Sequence, residues 1–371
     1  MRVAVFSYDY SPPIGGLGIV VSSAVSELRR LFPENDYIVF SPSPGSDKKV
    51  SPLAAMRWKK RGGCPFFSLI LNFKIKKIVK KFKPDVLHAH SGSGGVFILK
   101  KPSVPMIVTS HHTYLQEAEN VFSNPVLKVW KKFMAILEKR TYSLAQKIVC
   151  VSQDTADFII RRYDQPATKV SVIENGLMIK PVAGRVEKEK GTILFIGRLE
   201  KRKGIWVLLE AFNELLKKDP ALRLRIAGQN LIGRKIERFI RSNRLTENVF
   251  LMGFLQEPLL QRELKLATII VIPSLLEGFG LIAAEAMLAG TCIAGSAVPG
   301  LRSIIKHRET GFLFKTGDSH ACAESIEALL KDEMLRNKLA TNARSEAERR
   351  FSLADRVKEI QDVYRSYRSG T

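Results

Sequence analysis

Acidic residues are scarce in this chain of 371 residues: 36 Asp and Glu stand against 59 Lys and Arg, a formal net charge of +23. From residue 48 to residue 84 there is no acidic residue, while Arg57, Lys59, Lys60, Arg61, Lys74, Lys76, Lys77, Lys80, Lys81 and Lys83 crowd the same stretch. Cysteine is scarce too. Cys64, Cys150, Cys292 and Cys322 are scattered with no Cys-x-x-Cys pair, which argues against a disulfide framework or zinc site and fits a reducing cytoplasm. No apolar run reaches the roughly 18–20 residues that span a bilayer. The N-terminus, MRVAVFSYDYSPP, has only a short apolar run before polar residues and prolines, and reads as a first strand, not a signal peptide. Hydrophobic residues make up 45%, an ordinary globular composition, and the length suits two domains.

The first half alternates short apolar runs with longer amphipathic ones. VAVFS (3–7), DYIVFSP, PDVLHAH (84–90), PMIVTSHH (105–112), KIVCVS (147–152) and KVSVIENG (169–176) are expected strands. Helices are expected from about Ile19 to Phe32, over 68–82 with Leu71, Ile75, Ile78 and Phe82 on one face, and over 125–145. Strand–helix–strand order with helices of this length predicts parallel βαβ units. The pattern restarts after the charged stretch PVAGRVEKEKG (181–191): TILFIGR, LRLRIAG (222–228), VFLMGF (249–254), TIIVIPS (268–274) and TCIAGS (291–296) are strands with helices between. The expected architecture is therefore α/β, two Rossmann-like doubly wound parallel-sheet domains facing a cleft. The first covers 1–180, a linker covers 181–191, the second covers 192–350, and a C-terminal helix in 351–371 packs back across to the first.

In such sheets ligands bind beyond the carboxyl ends of the strands. Every chemically suggestive residue sits at such an end. The stretch SLLEGFGLIAAEAMLAG (274–290) holds Glu277 and Glu285 in apolar, glycine-rich surroundings. Gly278, Phe279 and Gly280 expose backbone amides just before a helix starting near Leu281, which makes an anion site, and the missing side chains of Gly278 and Gly280 let a phosphate approach. Glu277 can reach beyond the phosphate, and Glu285, one turn inside, can reach vicinal hydroxyls such as those of a ribose. Two acceptors flanking an anion site suit a nucleotide sugar; simple helix-dipole charges are the plainer alternative. In IGRLEKRKG (196–204), Arg198 and Lys203 flank a turn after a strand and could hold a diphosphate. Gly228 and Gly253–Phe254 end two further strands, where backbone contacts would choose the base. The loop PPIGGLG (12–18) lacks the dinucleotide fingerprint spacing, but Gly16 could offer a phosphate a backbone donor. His111 and His112 end PMIVTS; His88 and His90 read as structural. There is no metal-ligand spacing and no Asp-x-Asp triplet, so no metal is expected and the cations take that role.

These residues together resemble a family-4 glycosyltransferase of the GT-B fold, a retaining family, over nearly the whole chain. The strongest piece is the paired-glutamate motif Glu277-Gly-Phe-Gly-Leu-Ile-Ala-Ala-Glu285, with seven residues between the glutamates. IGRLEKRKG resembles the family's phosphate clamp. VIENG (172–176) resembles its Pro-Asn-Gly turn, with Glu174 at the usual proline, and PDVLHAH, PMIVTSHHT and ETGFLF (309–314) have counterparts. The resemblance implies that Glu277 contacts the donor sugar's hydroxyls, Glu285 binds the ribose, and Arg198 and Lys203 hold the diphosphate with the Phe279 and Gly280 amides. It also implies that Gly16 meets the phosphates and that His111, with His112 as fallback, is the sugar-side histidine. Transfer would be retaining and metal-free, the leaving oxygen helping to deprotonate the acceptor. The segment VPGLRSI (298–304) departs from the family's Gly-Gly-x-x-Glu, with Pro299 at a glycine and Ser303 at a carboxylate.

The basic excess falls in the half that the family uses for acceptors. Helices with lysines and aromatics, such as Lys128, Trp130, Lys131, Lys132 and Phe133, can lie on anionic membranes, although apolar stripes alone are equally those of ordinary core helices. The expectation is a cytoplasmic enzyme, peripheral on the inner membrane face, moving a hexose from a nucleotide sugar to a lipid or lipid-linked glycan. Alternatives are a nucleotide-sugar epimerase on the same scaffold and a basic nucleic-acid-binding protein. The latter lacks any helix-turn-helix, finger or RNA-sheet aromatic pattern, so no specific nucleic acid is expected.

Overall fold

The computed structural model describes residues 1–11, 13, 15–42, 50–52, 63–92, 95–121, 124–178 and 187–368. Arg57, Lys59, Lys60, Arg61 and residues 181–186 of the expected linker lie outside the described residues. The first half runs β1 (Arg2–Phe6), α1 (Gly16–Leu31), β2 (Asp36–Ser41), β3 (Val50–Pro52), α2 (Gly63–Phe82), β4 (Val86–Ser91), β5 (Met106–Ser110), α3 (Tyr114–Asn120), α4 (Pro125–Leu144), β6 (Lys147–Cys150), α5 (Gln153–Arg162) and β7 (Val170–Val172). The second runs β8 (Glu189–Ile196), α6 (Ile205–Leu216), β9 (Arg223–Ala227), α7 (Lys235–Ser242), β10 (Val249–Gly253), α8 (Glu257–Leu266), β11 (Ala267–Ile272) and α9 (Leu281–Leu288). It continues with β12 (Cys292–Ser296), α10 (Pro299–Arg302), β13 (Phe312–Phe314), α11 (Ser319–Lys331), α12 (Glu333–Arg350) and α13 (Leu353–Ser366).

The chain forms two compact units: Met1–Met178 with Phe351–Thr371, and Ile179–Arg350. The first holds a seven-stranded parallel sheet in the order β3-β2-β1-β4-β5-β6-β7. Alternation along the strands loads both faces. Ala4 and Phe6 join Phe67, Leu71, Ile75 and Ile78 of α2 and Met134 and Tyr142 of α4 in one core, whereas Val3 and Val5 face α1 and α13 in the other. Tyr364 of α13 ties this second layer down through its hydroxyl, 2.6 Å from His88 Nδ1, and Tyr37 donates to Gln361 at 2.7 Å. Local signals set the helix starts: Thr113 and Gln116 form a capping box on α3, and Asn124 caps α4 with Pro125 in its first turn.

The second unit has a six-stranded parallel sheet in the order β10-β9-β8-β11-β12-β13. β11, ATIIVI, is buried along its whole length, as a central parallel strand covered on both faces must be. Its core gathers Ile205, Leu208, Leu209, Phe212 and Leu215 from α6, spaced to share one face of that helix.

Several expected boundaries move, the start of α2 from 68 to Gly63 among them. α1 begins at Gly16, not near Ile19, because the Asp9 carboxylate takes the Gly15 and Gly18 amides at 2.9 and 3.1 Å. The strand expected over 169–176 stops at Val172: the next residues turn to the start of α13, where Leu177 donates to Phe351 O and Leu353 to Leu177 O. β8 begins at Glu189 rather than Thr192, since Glu189 is paired with Ala267 in the ladder and with Arg225 by its side chain at 2.6 Å. No helix of the described residues is long and apolar enough to cross a membrane.

Candidate functional site

In the second unit, β8 and β11 lie side by side, β8 continuing to β9 on one flank and β11 to β12 on the other. That reversal is where open parallel sheets bind ligands. The loops that leave these two strands are joined. Gly204 has a left-handed φ of +67°, and a Cβ there would fall 1.8 Å from Pro273 O, so only glycine allows the approach. Leu275 N donates to Arg202 O at 2.8 Å.

This junction assembles a charge cluster. Lys203 Nζ donates to Glu277 Oε1 at 2.6 Å, and Ser274 Oγ donates to the same oxygen at 2.7 Å. Arg202 donates to Leu276 O at 3.0 Å and stands 3.7 Å from Glu277 Oε2. Burial by itself would raise the Glu277 carboxyl, but the Lys203 and Arg202 charges and the two hydrogen bonds outweigh it and hold the group at about 2. Burial pulls the Lys203 ammonium below its usual value against the opposing pull of Glu277. Arg198 lies in the same loop, 3.3 Å from Glu200.

Gly278, Phe279 and Gly280 follow Glu277 and are buried. Gly280 is the N-cap of α9 with φ +98° and no side-chain cap. The first turn from Leu281 therefore presents amides that helix geometry leaves without intrahelical partners. Gly300 lets α10 press on this loop, since a Cβ there would lie 2.4 Å from Glu277 O. Pro299 occupies the first turn of α10, and Ser303 Oγ donates to Gly300 O at 2.8 Å. At this departure from the family pattern both residues thus have local structural work.

Glu285 lies one turn into α9. Its Oε2 is buried with no hydrogen-bond partner among the described residues, a costly state for a carboxylate. Burial, with a smaller contribution from Glu257, pushes the carboxyl up to about 8.

The ends of β8, β9 and β10 are stitched together beside the cluster. Gly197 N donates to Ala227 O at 2.9 Å and Gly228 N to Gly253 O at 2.7 Å. A Cβ on Gly228, whose φ is +141°, would fall 1.9 Å from Gly197 O. Gly253 turns the chain at φ +67°, and the following Phe254 ring is 77% exposed.

Gly16 and His111 belong to the first unit. Gly16 opens α1 in the loop that Asp9 holds. Two residues of that loop, Pro12 and Ile14, lie outside the described residues. His111 is buried, with Nε2 3.1 Å from His90 Nδ1 and its ring stacked on that of His90. Burial holds His111 down at about 3, with His112 and His88 adding to it, and pulls His90 well below its usual value. His112, the fallback, is instead tied to Glu117 at 3.2 Å, and Glu117 also takes Lys131 at 2.5 Å.

The structure thus brings Lys203 and Glu277 together, sets Gly278–Leu281 directly after them, and lines up Gly228 and Gly253 alongside. Sequence reasoning missed Arg202, Ser274 and Asp9, while His90, read as structural, is buried against His111. Arg202 sat in the Lys-Arg-Lys run, where only the short turn Lys201–Lys203 decides which cation turns inward. Ser274, three residues before Glu277, had spacing as a signal. Asp9 could have been found as an acid shortly before a glycine-rich helix start.

Two Rossmann-like units with such strand-end sites define the GT-B fold, and solved structures bear this out. Sucrose-phosphate synthase from Thermosynechococcus elongatus matches with a TM-score of 0.82 at 20% identity, over 99% of this chain and 98% of that one. Anabaena HepE, solved in complex with UDP-glucose, matches at 0.75 and 18%, over 99% and 100%. Residues 14–179 match the family described as Glycosyltransferase Family 4, and residues 180–346 that described as Glycosyl transferases group 1. The chain belongs to this glycosyltransferase family. Its relatives include an uncharacterized glycosyltransferase of Methanocaldococcus jannaschii, 28% identical over 98% of both chains. Another is the D-inositol 3-phosphate glycosyltransferase of Corynebacterium glutamicum, 24% identical over 98% of this chain and 96% of that one.

Proposed function

We propose that this glycosyltransferase moves a hexose from a nucleotide-diphosphate sugar, with retention and without a metal, to a lipid or lipid-linked glycan at a membrane surface. The observation that carries the donor half is Glu285, a buried carboxylate oxygen without a partner among the described residues, placed one turn beyond an uncapped helix start and the Lys203–Glu277 pair. Ribose hydroxyls supply the partner that Glu285 lacks. The diphosphate takes the amides at Phe279 and Gly280 and those at the start of α9, with Lys203 and Arg198 as counter-cations. Glu277, kept ionised, accepts from hexose hydroxyls. Gly228, Gly253 and Phe254 receive the base.

As the bond from the sugar's anomeric carbon to the diphosphate breaks, negative charge grows on the leaving oxygen. Preorganised cations and amides stabilise it there. The acceptor oxygen bonds to the anomeric carbon on the same face, and its proton passes to the leaving phosphate oxygen. The membrane half is supported by the +23 charge and by the lysine-rich helices of the first unit.

Thermal unfolding with UDP, GDP, ADP and their sugar conjugates, with and without EDTA, tests the donor half. One nucleotide class should raise the melting temperature by mass action, EDTA should leave the shift intact, and Glu285→Ala should remove it. No shift from any nucleotide at millimolar concentration would sink the reading.

A further inference from the structure

The expected apolar stripe of α2 is core: Leu71, Ile75 and Ile78 are buried. The same helix carries a second apolar set that is not. Phe66 and Phe73 are 59% and 74% exposed. On α4 the inward side is Met134, Ala135, Glu138 and Tyr142, and the outward side is apolar again, with Val129, Trp130, Phe133 and Ile136 all at least half exposed. Nine of the seventeen exposed large apolar side chains among the described residues belong to these two helices.

Both helices cover the same face of the first sheet, since both feed one core. The strip at 97–99 bridges them: Asn72 of α2 bonds Phe97 O and Leu99 N, and Thr141 of α4 accepts from Ile98 N. The Trp130 and Phe133 rings are neighbours, with centroids 5.9 Å apart, and Lys100 Nζ stands over the Phe73 ring. Exposed Lys74, Lys76, Lys77, Lys80 and Lys81 edge α2, and Lys132 and Arg140 edge α4. α2 has no acidic residue. The single one on α4, Glu138, is fully buried and takes the Tyr163 hydroxyl and the Tyr114 amide.

We infer that the outward faces of α2 and α4 form one docking surface for an anionic lipid bilayer, with Trp130, Phe133, Phe66 and Phe73 entering the headgroup region and the lysines meeting lipid phosphates. Aromatic and aliphatic groups bordered by lysine are what an interfacial helix presents. A second copy of the chain fits worse, because two such faces would set lysine rows against each other. This deepens the membrane half of the proposed function and rests on it for the acceptor.

The test is flotation of the full chain, without donor or acceptor, with vesicles of phosphatidylcholine alone or mixed with phosphatidylglycerol. Salt is set at about 0.1 M, where the Debye length is about 10 Å. Binding should need the anionic lipid and shift tryptophan emission to the blue. Lys74→Glu/Lys77→Glu/Lys81→Glu and Trp130→Ser/Phe133→Ser should each weaken it by about tenfold or more, and Trp130→Phe should remove most of the blue shift. These side chains are exposed, so the melting temperature should hold, and the nucleotide-induced shift with it. Failure of that shift alone sinks the donor reading and leaves the docking surface standing. Three results overturn the inference: no binding to anionic vesicles, full binding by the Trp130→Ser/Phe133→Ser variant, or a concentration-dependent dimer that the same variant abolishes.

Discussion

Lys203 Nζ sits 2.6 Å from Glu277 Oε1, joining the loop after β8 to the loop after β11. Lys203 ends a short turn that Gly204 presses against Pro273, and Glu277 leads into the start of α9. The pair is therefore both a brace between two strand ends and the charged floor of the candidate donor site.

Replacing Glu277 separates these roles. Glu277→Ala leaves Lys203 beside Arg202 with no carboxylate between them. Removing one partner of a buried pair costs about 3–5 kcal/mol, and the 19% exposure of the Lys203 side chain places this one toward the lower end. Glu277→Gln should cost less but still reduce transfer by about 100-fold, the scale of losing one charge-stabilising group. Urea unfolding and turnover with the donor found by thermal shift measure the two. The folded carboxyl sits at about 2, below its usual 4.5, so its contribution is complete above about 4.5 and is lost as pH falls toward 2. Glu277→Gln should flatten that part of the acid unfolding curve.

Glu285 has the opposite sign. Its carboxyl is pushed up to about 8, so the folded state holds the proton and stability declines as pH rises from about 4.5 through 8. Glu285→Gln should be the more stable protein at pH 8.5 and bind nucleotide about tenfold more weakly, the loss of a charge-assisted hydrogen bond. Ribose hydroxyls favour the carboxylate, so wild-type binding near pH 7 should release protons. Calorimetry in buffers of different ionisation enthalpy reads this directly, and proton uptake would contradict the assignment.

Two glycines at neighbouring strand ends should respond unequally. Gly253 has φ +67° and open space where a Cβ would go, so Gly253→Ala should cost about 1–2 kcal/mol from backbone conformation alone. Gly228→Ala adds a collision with Gly197 O and should cost more, about 2–4 kcal/mol. Equal unfolding midpoints for the two variants would contradict the packing of these strand ends.

Buried histidines should make the first unit acid-labile. Burial holds His88 and His111 at about 3, against an ordinary 6.5. Their contribution is present above 6.5 and erodes as pH falls below it, by about 1.4 kcal/mol per pH unit for each neutral histidine. Hydrogen exchange at pH 7 and pH 5 should show β4 and β5 losing protection before β8 and β11. His88→Gln should narrow that difference.

Much of this was legible in the residues. Two rounds of strand and helix, the glycine-bearing start of α9 and the paired glutamates follow from local pattern, because periodicity and spacing are properties of neighbouring residues. The α2 stripe of Leu71, Ile75 and Ile78 was visible for the same reason. Arg202 was not: three consecutive cations look alike until a turn chooses their directions. On α4, Trp130 and Phe133 among lysines were a visible signal, but the outward Phe66 and Phe73 of α2 were hidden, since a helix with apolar residues on two sides does not announce which side meets the sheet.

By itself, then, the sequence determined the parallel α/β pattern and the family and named the candidate site's main residue types, all encoded over short spans. Tertiary structure alone decided that Lys203 reaches Glu277 across 74 positions of sequence, that Asp9 anchors the glycine loop, that His90 stacks on His111, and that α2 and α4 share one face of a sheet. These depend on strand order, and strand order is fixed by how the whole core closes.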